Sequence, residues 1–160
     1  MTFMIQLKFL SLMEVSMENT DTIYLLKECD AGTKMAVSSI DDVLDNVQSN
    51  QLKQLLTESR EHHEKLGNDL HSLLIKYNSE EKEPNPMAKG MSWLKTNVKL
   101  GMNESDATVA DLLTDGCHMG VKSLHKYMNQ YPNANKDAKD ICNRLIGIEE
   151  QLCEDLKEYL

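Results

Sequence analysis

Apolar residues recur along this chain at helical spacing in four separate stretches. From Thr20 to about Gln48 they fall at Leu26, Cys29, Thr33, Ala36, Ile40, Val43 and Val47. Steps of three and four hold such positions on one side of an α-helix, because 3.6 residues complete a turn. After the polar pair Ser49-Asn50 the stripe resumes at Leu52, Leu56, Ser59, His63, Leu66, Leu70, Leu73 and Tyr77. A third stripe passes through Val109, Leu113, Cys117, Gly120, Leu124 and Met128, and a fourth through Ala138, Ile141, Leu145, Ile148, Leu152, Leu156 and Tyr159. The pattern predicts helices A (20–48), B (51–78), C (105–131) and D (135–160). Breaks as short as Ser49-Asn50 and Tyr131-Pro132 allow only tight turns, so A–B and C–D read as helical hairpins. The expected fold class is all-α, an antiparallel four-helix bundle forming one domain over 17–160.

The B–C connection sets how the hairpins are joined. Residues 79–90, SEEKEPNPMAKG, hold two prolines and a glycine and lead into a short amphipathic piece with Met91, Leu94 and Val98. Twelve extended residues reach roughly 40 Å, about the length of a 26-residue helix. The whole stretch 79–104 is therefore expected to be a crossover that travels the length of the bundle and sets C parallel to B, the alternative being a loose loop that closes an ordinary up-down bundle. Lys89, Lys95 and Lys99 make this segment locally basic, and with Trp93, the only tryptophan, it reads either as a partner-docking patch or, more commonly for such a residue, as a cover for the end or flank of the bundle. The first residues break the pattern differently. Phe3, Ile5, Leu7 and Phe9 alternate as in a strand, and Gln6 and Lys8 spoil the run as a signal-peptide core. Residues 1–16 are expected to be an unordered extension, with Met17 as the natural start.

A short internal repeat links the hairpins. Leu25 to Lys34 and Leu113 to Lys122 share the pattern Leu-x-x-x-Cys-x-x-Gly-x-Lys, each in the first half of its hairpin's leading helix. A glycine inside a helix costs about 1 kcal/mol relative to alanine, so Gly32 and Gly120 are expected to mark close helix approach. Composition narrows the field further. With 7 Gly and 3 Pro in 160 residues there is little to interrupt long helices. A formal charge of -9 repels phosphates and anionic lipid, which removes nucleic acid and membrane as expected partners. Cys29, Cys117, Cys142 and Cys153 form no Cys-x-x-Cys pair and read as reduced, buried, small apolar residues, and the expected location is the cytoplasm.

Two hairpins joined by a bundle-length crossover, with an internal two-fold, resemble the ferritin-like superfamily over roughly Thr20 to Leu160, most nearly its small bacterial bundles. Di-iron members carry one inward Glu on each of two helices and Glu-x-x-His on the other two. Here helix A offers Glu28, B reads Glu58-Ser-Arg-Glu61-His62-His63, C reads Asp115-Gly-Cys-His118, and D has Glu149 and Glu150 without a histidine. The oxygen-activating motif is not intact. A weaker set remains at mid-bundle height: His62, His63, His118 and Glu149, with Glu28 as a further carboxylate. Imidazoles with a carboxylate suit Fe, Mn or Zn, while the bland reading is a self-satisfied polar layer. His71 and His125 read as surface residues. The expected function is a non-catalytic or metal-associated ferritin-like bundle in stress or storage physiology, as the resemblance implies. The alternative is a helical interaction module, including a homodimer through helical faces. Inward imidazoles would favour the first, and an exposed apolar patch the second.

Overall fold

The computed structural model describes residues 2–79 and 105–160. Among the described residues the chain forms four α-helices and no strand: α1 (Thr2–Leu44), α2 (Asn50–Lys76), α3 (Asp106–Gln130) and α4 (Lys136–Leu156), followed by a 3-10 turn at Lys157–Tyr159. Apart from Ser79, the expected crossover over 79–104 lies outside the described residues, as do Trp93 and its lysines.

Local chemistry sets the ends of the helices. Ser49, Ser105 and Asn135 adopt extended backbone, and their side chains accept from the N–H groups of Leu52, Thr108 and Ala138. Each satisfies one of the donors a helix start leaves open. α2 stops where Asn78 takes a φ of 52°, and the N–H of Ser79 returns to the Leu74 carbonyl at 3.0 Å. Asparagine tolerates that left-handed backbone better than most residues.

The stripes bury as expected over most of their length, and they build two apolar clusters. One joins Ile40, Val43 and Val47 to Leu52, Leu56, Val109, Leu113, Cys117, Leu152, Cys153 and Leu156. The other joins Leu25, Leu26 and Cys29 to Leu66, Leu70, Leu74, Leu124, Ala138, Ile141, Cys142 and Leu145. The end of α1, the starts of α2 and α3 and the end of α4 thus share the first cluster. In detail Leu74 rather than Leu73 is fully buried, and Ile148 is only half-buried because Glu149 turns inward beside it.

Hydrogen bonds clasp both ends. Asp106, the first residue of α3, accepts from the backbone N–H groups of Gln48 (2.7 Å) and Ser49 (2.8 Å) in the α1–α2 turn. At the opposite end Asp21 and Thr22 of α1 accept from Asn133 (2.9 Å) and Asn135 (2.8 Å) in the α3–α4 turn. Each turn is therefore closed by the leading helix of the other hairpin.

α1 begins at Thr2, well before the expected Thr20. The alternation of Phe3, Ile5, Leu7 and Phe9 does not produce a strand. No glycine or proline interrupts the chain before Gly32, and a lone strand would leave its backbone groups unpaired where a helix pairs them internally. Residues 2–20 are exposed throughout and add nothing to either cluster.

Candidate functional site

Two features stand apart from ordinary packing. One is a polar layer near the middle of the bundle. His63 lies on the α2 stripe and is fully buried; Glu149 of α4 is 7% exposed. The Nε2 of His63 sits 2.8 Å from Glu149 Oε1, and its Nδ1 2.7 Å from the Ser59 carbonyl oxygen one turn earlier. A carbonyl and a carboxylate both accept, so both ring nitrogens serve as donors in the imidazolium form. Burial works against that charge, but the hydrogen bond and negative charge of Glu149, with the Ser59 carbonyl, outweigh it and raise the imidazole's pKa above its ordinary value. Cys117 and Cys153 border the same carboxylate. Burial first, then the charge of Glu149, pushes the Cys117 thiol up, and burial does the same to Cys153. In the folded bundle both shifts favour the protonated thiol over the thiolate.

Of the five sequence-derived candidates, His63 and Glu149 meet. His62 and His118 are exposed, and Glu28 is half-buried on α1. His62 sits one residue from the stripe, and the 100° between consecutive residues carries its ring onto the groove between α2 and α4, with Glu58, Arg144 and Gln151. His118 follows the buried Cys117 and turns outward for the same reason. Among the described residues no three His, Cys, Asp or Glu side chains group in a way that could hold a metal ion. The described residues therefore bring together one imidazole and one carboxylate of the expected set.

Sequence reasoning missed a second buried polar group. Asp30 is 2% exposed, pairs with Lys34 at 3.1 Å, and its carbonyl accepts from the buried Thr33 hydroxyl at 2.8 Å. Asp30 stands beside Cys29 within the repeated pattern, on the apolar side of α1, and that position was the available signal.

The other feature is the start of α1. Ten large apolar side chains between Phe3 and Met17 are exposed, from 48% for Met13 to 76% for Met4. They surround the helix instead of forming a stripe, with Lys8, Glu14 and Glu18 as the only charges. No described helix is long and apolar enough to cross a membrane. Soluble monomers rarely expose a continuous apolar surface beyond a few hundred Å². Comparison of the chain with protein-family models, with curated proteins and with solved structures finds no match.

Proposed function

We propose that this chain is a helical interaction module, a four-helix body that presents the first twenty residues of α1 to a second copy of itself. The observation that carries the reading is the exposed apolar surface from Phe3 to Met17. A second copy suits it on three grounds. A standard interface covers about 800 Å² per partner, a size that ten such side chains can supply. The body holds nearly all of the formal charge of -9, which disfavours anionic membrane, whereas the extension is almost neutral. An antiparallel pairing of two extensions centred on Ser11 sets Lys8 of each copy level with Glu14 of the other, while a parallel pairing sets like charges level.

The body itself we read as ferritin-like in path, two antiparallel hairpins with α2 and α3 running the same way. The shared membership of the end of α1, the starts of α2 and α3 and the end of α4 in one cluster supports this. Its mid-bundle histidine–carboxylate pair then serves as a structural polar layer.

Sedimentation of the full chain and of a form lacking residues 2–16 tests the module. The full chain should be a dimer and the shortened one a monomer of nearly unchanged melting midpoint. A monomeric full chain at every accessible concentration, or flotation of it with neutral lipid vesicles in place of self-association, would overturn the reading.

A further inference from the structure

The four cysteines are all buried, and the helices bring them together in twos. Cys29 and Cys117 hold the same place in the repeated pattern, one turn before Gly32 and Gly120. Both glycines abut α4. A Cβ at Gly32 would lie 3.5 Å from Leu145 Cδ2, and one at Gly120 3.6 Å from Glu149 Oε2. Those contacts fix the relative level of the helices. α1 and α4 run in the same sense between the two clusters, so one turn back from Gly32 and from Leu145 are Cys29 and Cys142, both fully buried. α3 runs against α4, so one turn back from Gly120 and one turn on from Glu149 are Cys117 and Cys153. Each pair shares one apolar cluster, and the presence of Cys142 raises the Cys29 thiol as that of Cys153 raises the Cys117 thiol. Two of the four sulfurs also reach backbone: Cys142 lies 4.0 Å from the Leu124 carbonyl and Cys153 3.9 Å from that of Thr114.

We propose that Cys29–Cys142 and Cys117–Cys153 are two dithiol sites that close to disulfides, fastening α4 to the leading helix of each hairpin. Cysteines used only as small apolar fillers have no reason to fall opposite one another on every occasion. The repeat explains why they do: the same Cys-x-x-Gly step faces α4 twice.

The oxidant required is a small-molecule disulfide such as oxidised glutathione. One cysteine, as thiolate, attacks the small disulfide and displaces one small thiolate; its partner then attacks the mixed disulfide and displaces the second. Each closure forms one protein S–S bond, removes two S–H hydrogens and reduces one small disulfide to two thiols. All four cysteines are buried in the folded bundle, so both closures take place during folding or local opening.

The test refolds the reduced, unfolded full chain in a glutathione redox buffer, where burial cannot shield any thiol. Acid quenching, alkylation and peptide mass mapping then read the linkages. Four cysteines allow three pairings. The expected result is a dominant Cys29–Cys142 with Cys117–Cys153, and an oxidised form melting roughly 8 °C above the reduced one. A Cys29→Ser/Cys142→Ser variant should still form the Cys117–Cys153 bridge. Dominance of another pairing, thiols that stay free, or an oxidised form that melts below the reduced one would overturn the proposal.

Discussion

Residues 2–20 and 21–44 belong to one uninterrupted helix, yet they meet their surroundings in opposite ways. The second stretch is no richer in large apolar residues than the first. It sets enough of them on one face to bury Leu25, Leu26, Cys29, Ile40 and Val43 to at most 1% exposure, leaving Tyr24 outside. The first spreads them around the whole circumference and buries none. Periodicity, more than apolar content, decides which part of a helix a bundle can accept. A length without a polar side cannot be half-covered, so the start of α1 projects beyond Asp21 and Thr22, where the bundle closes.

Truncation of core leucines should break the symmetry between these regions most strongly. Leu70→Ala in the body is expected to cost about 3 kcal/mol and lower the melting midpoint by roughly 10 °C, by lost transfer energy and a residual cavity. Leu7→Ala in the extension should leave that midpoint within about 1 °C and weaken self-association instead. Equal losses at the two sites, followed by calorimetry, would show that the extension packs on its own bundle.

A smaller effect is expected at the polar layer. His63→Leu leaves the Glu149 carboxylate buried without its partner, at a cost of about 2 kcal/mol in denaturant titrations. The double variant His63→Leu/Glu149→Leu should regain most of it, because both polar groups are then gone. A double variant no better than the single one would mean that the layer matters for shape and not for pairing.

The smallest expected effect is the response to pH. The folded-state pKa of His63 is raised, so its stabilising contribution is complete below the unfolded value near 6.5 and is lost as pH rises through the folded value. The melting midpoint should therefore fall between about pH 6 and pH 8, and His63→Leu should flatten that slope. Residues 2–20 contain no histidine, so self-association should stay constant across the same range. A dimer that dissociates in step with the falling midpoint would tie the interface to the body.

Much of the bundle was legible because burial leaves a periodic trace. The stripes located all four helices, and the caps Ser49 and Asn135 stood where polar breaks interrupt them. The true start of α1 was not legible: Phe3, Ile5, Leu7 and Phe9 alternate, but alternation says nothing without a neighbouring strand to pair with. The polar layer was half legible. His63 lies on its stripe and Glu149 one turn from Leu145 and Leu152, while His62 and His118 each miss an apolar face by a single residue. Which cysteine faces which depends on the relative height of α1, α3 and α4, a quantity set by packing between helices and absent from any one of them.

The reciprocal closure of the turns bears on how such a chain could arise and come apart. Gln48 and Ser49 rely on Asp106, and Asn133 and Asn135 rely on Asp21 and Thr22. A hairpin on its own would leave those donors to water and one apolar face open, so neither half is a free-standing unit. Two identical hairpins could satisfy each other in the same manner. The Cys-x-x-Gly step that occurs in the leading helix of each hairpin is a further feature the two halves share. Cut within the segment that joins them, the halves should find one another again as a heterodimer.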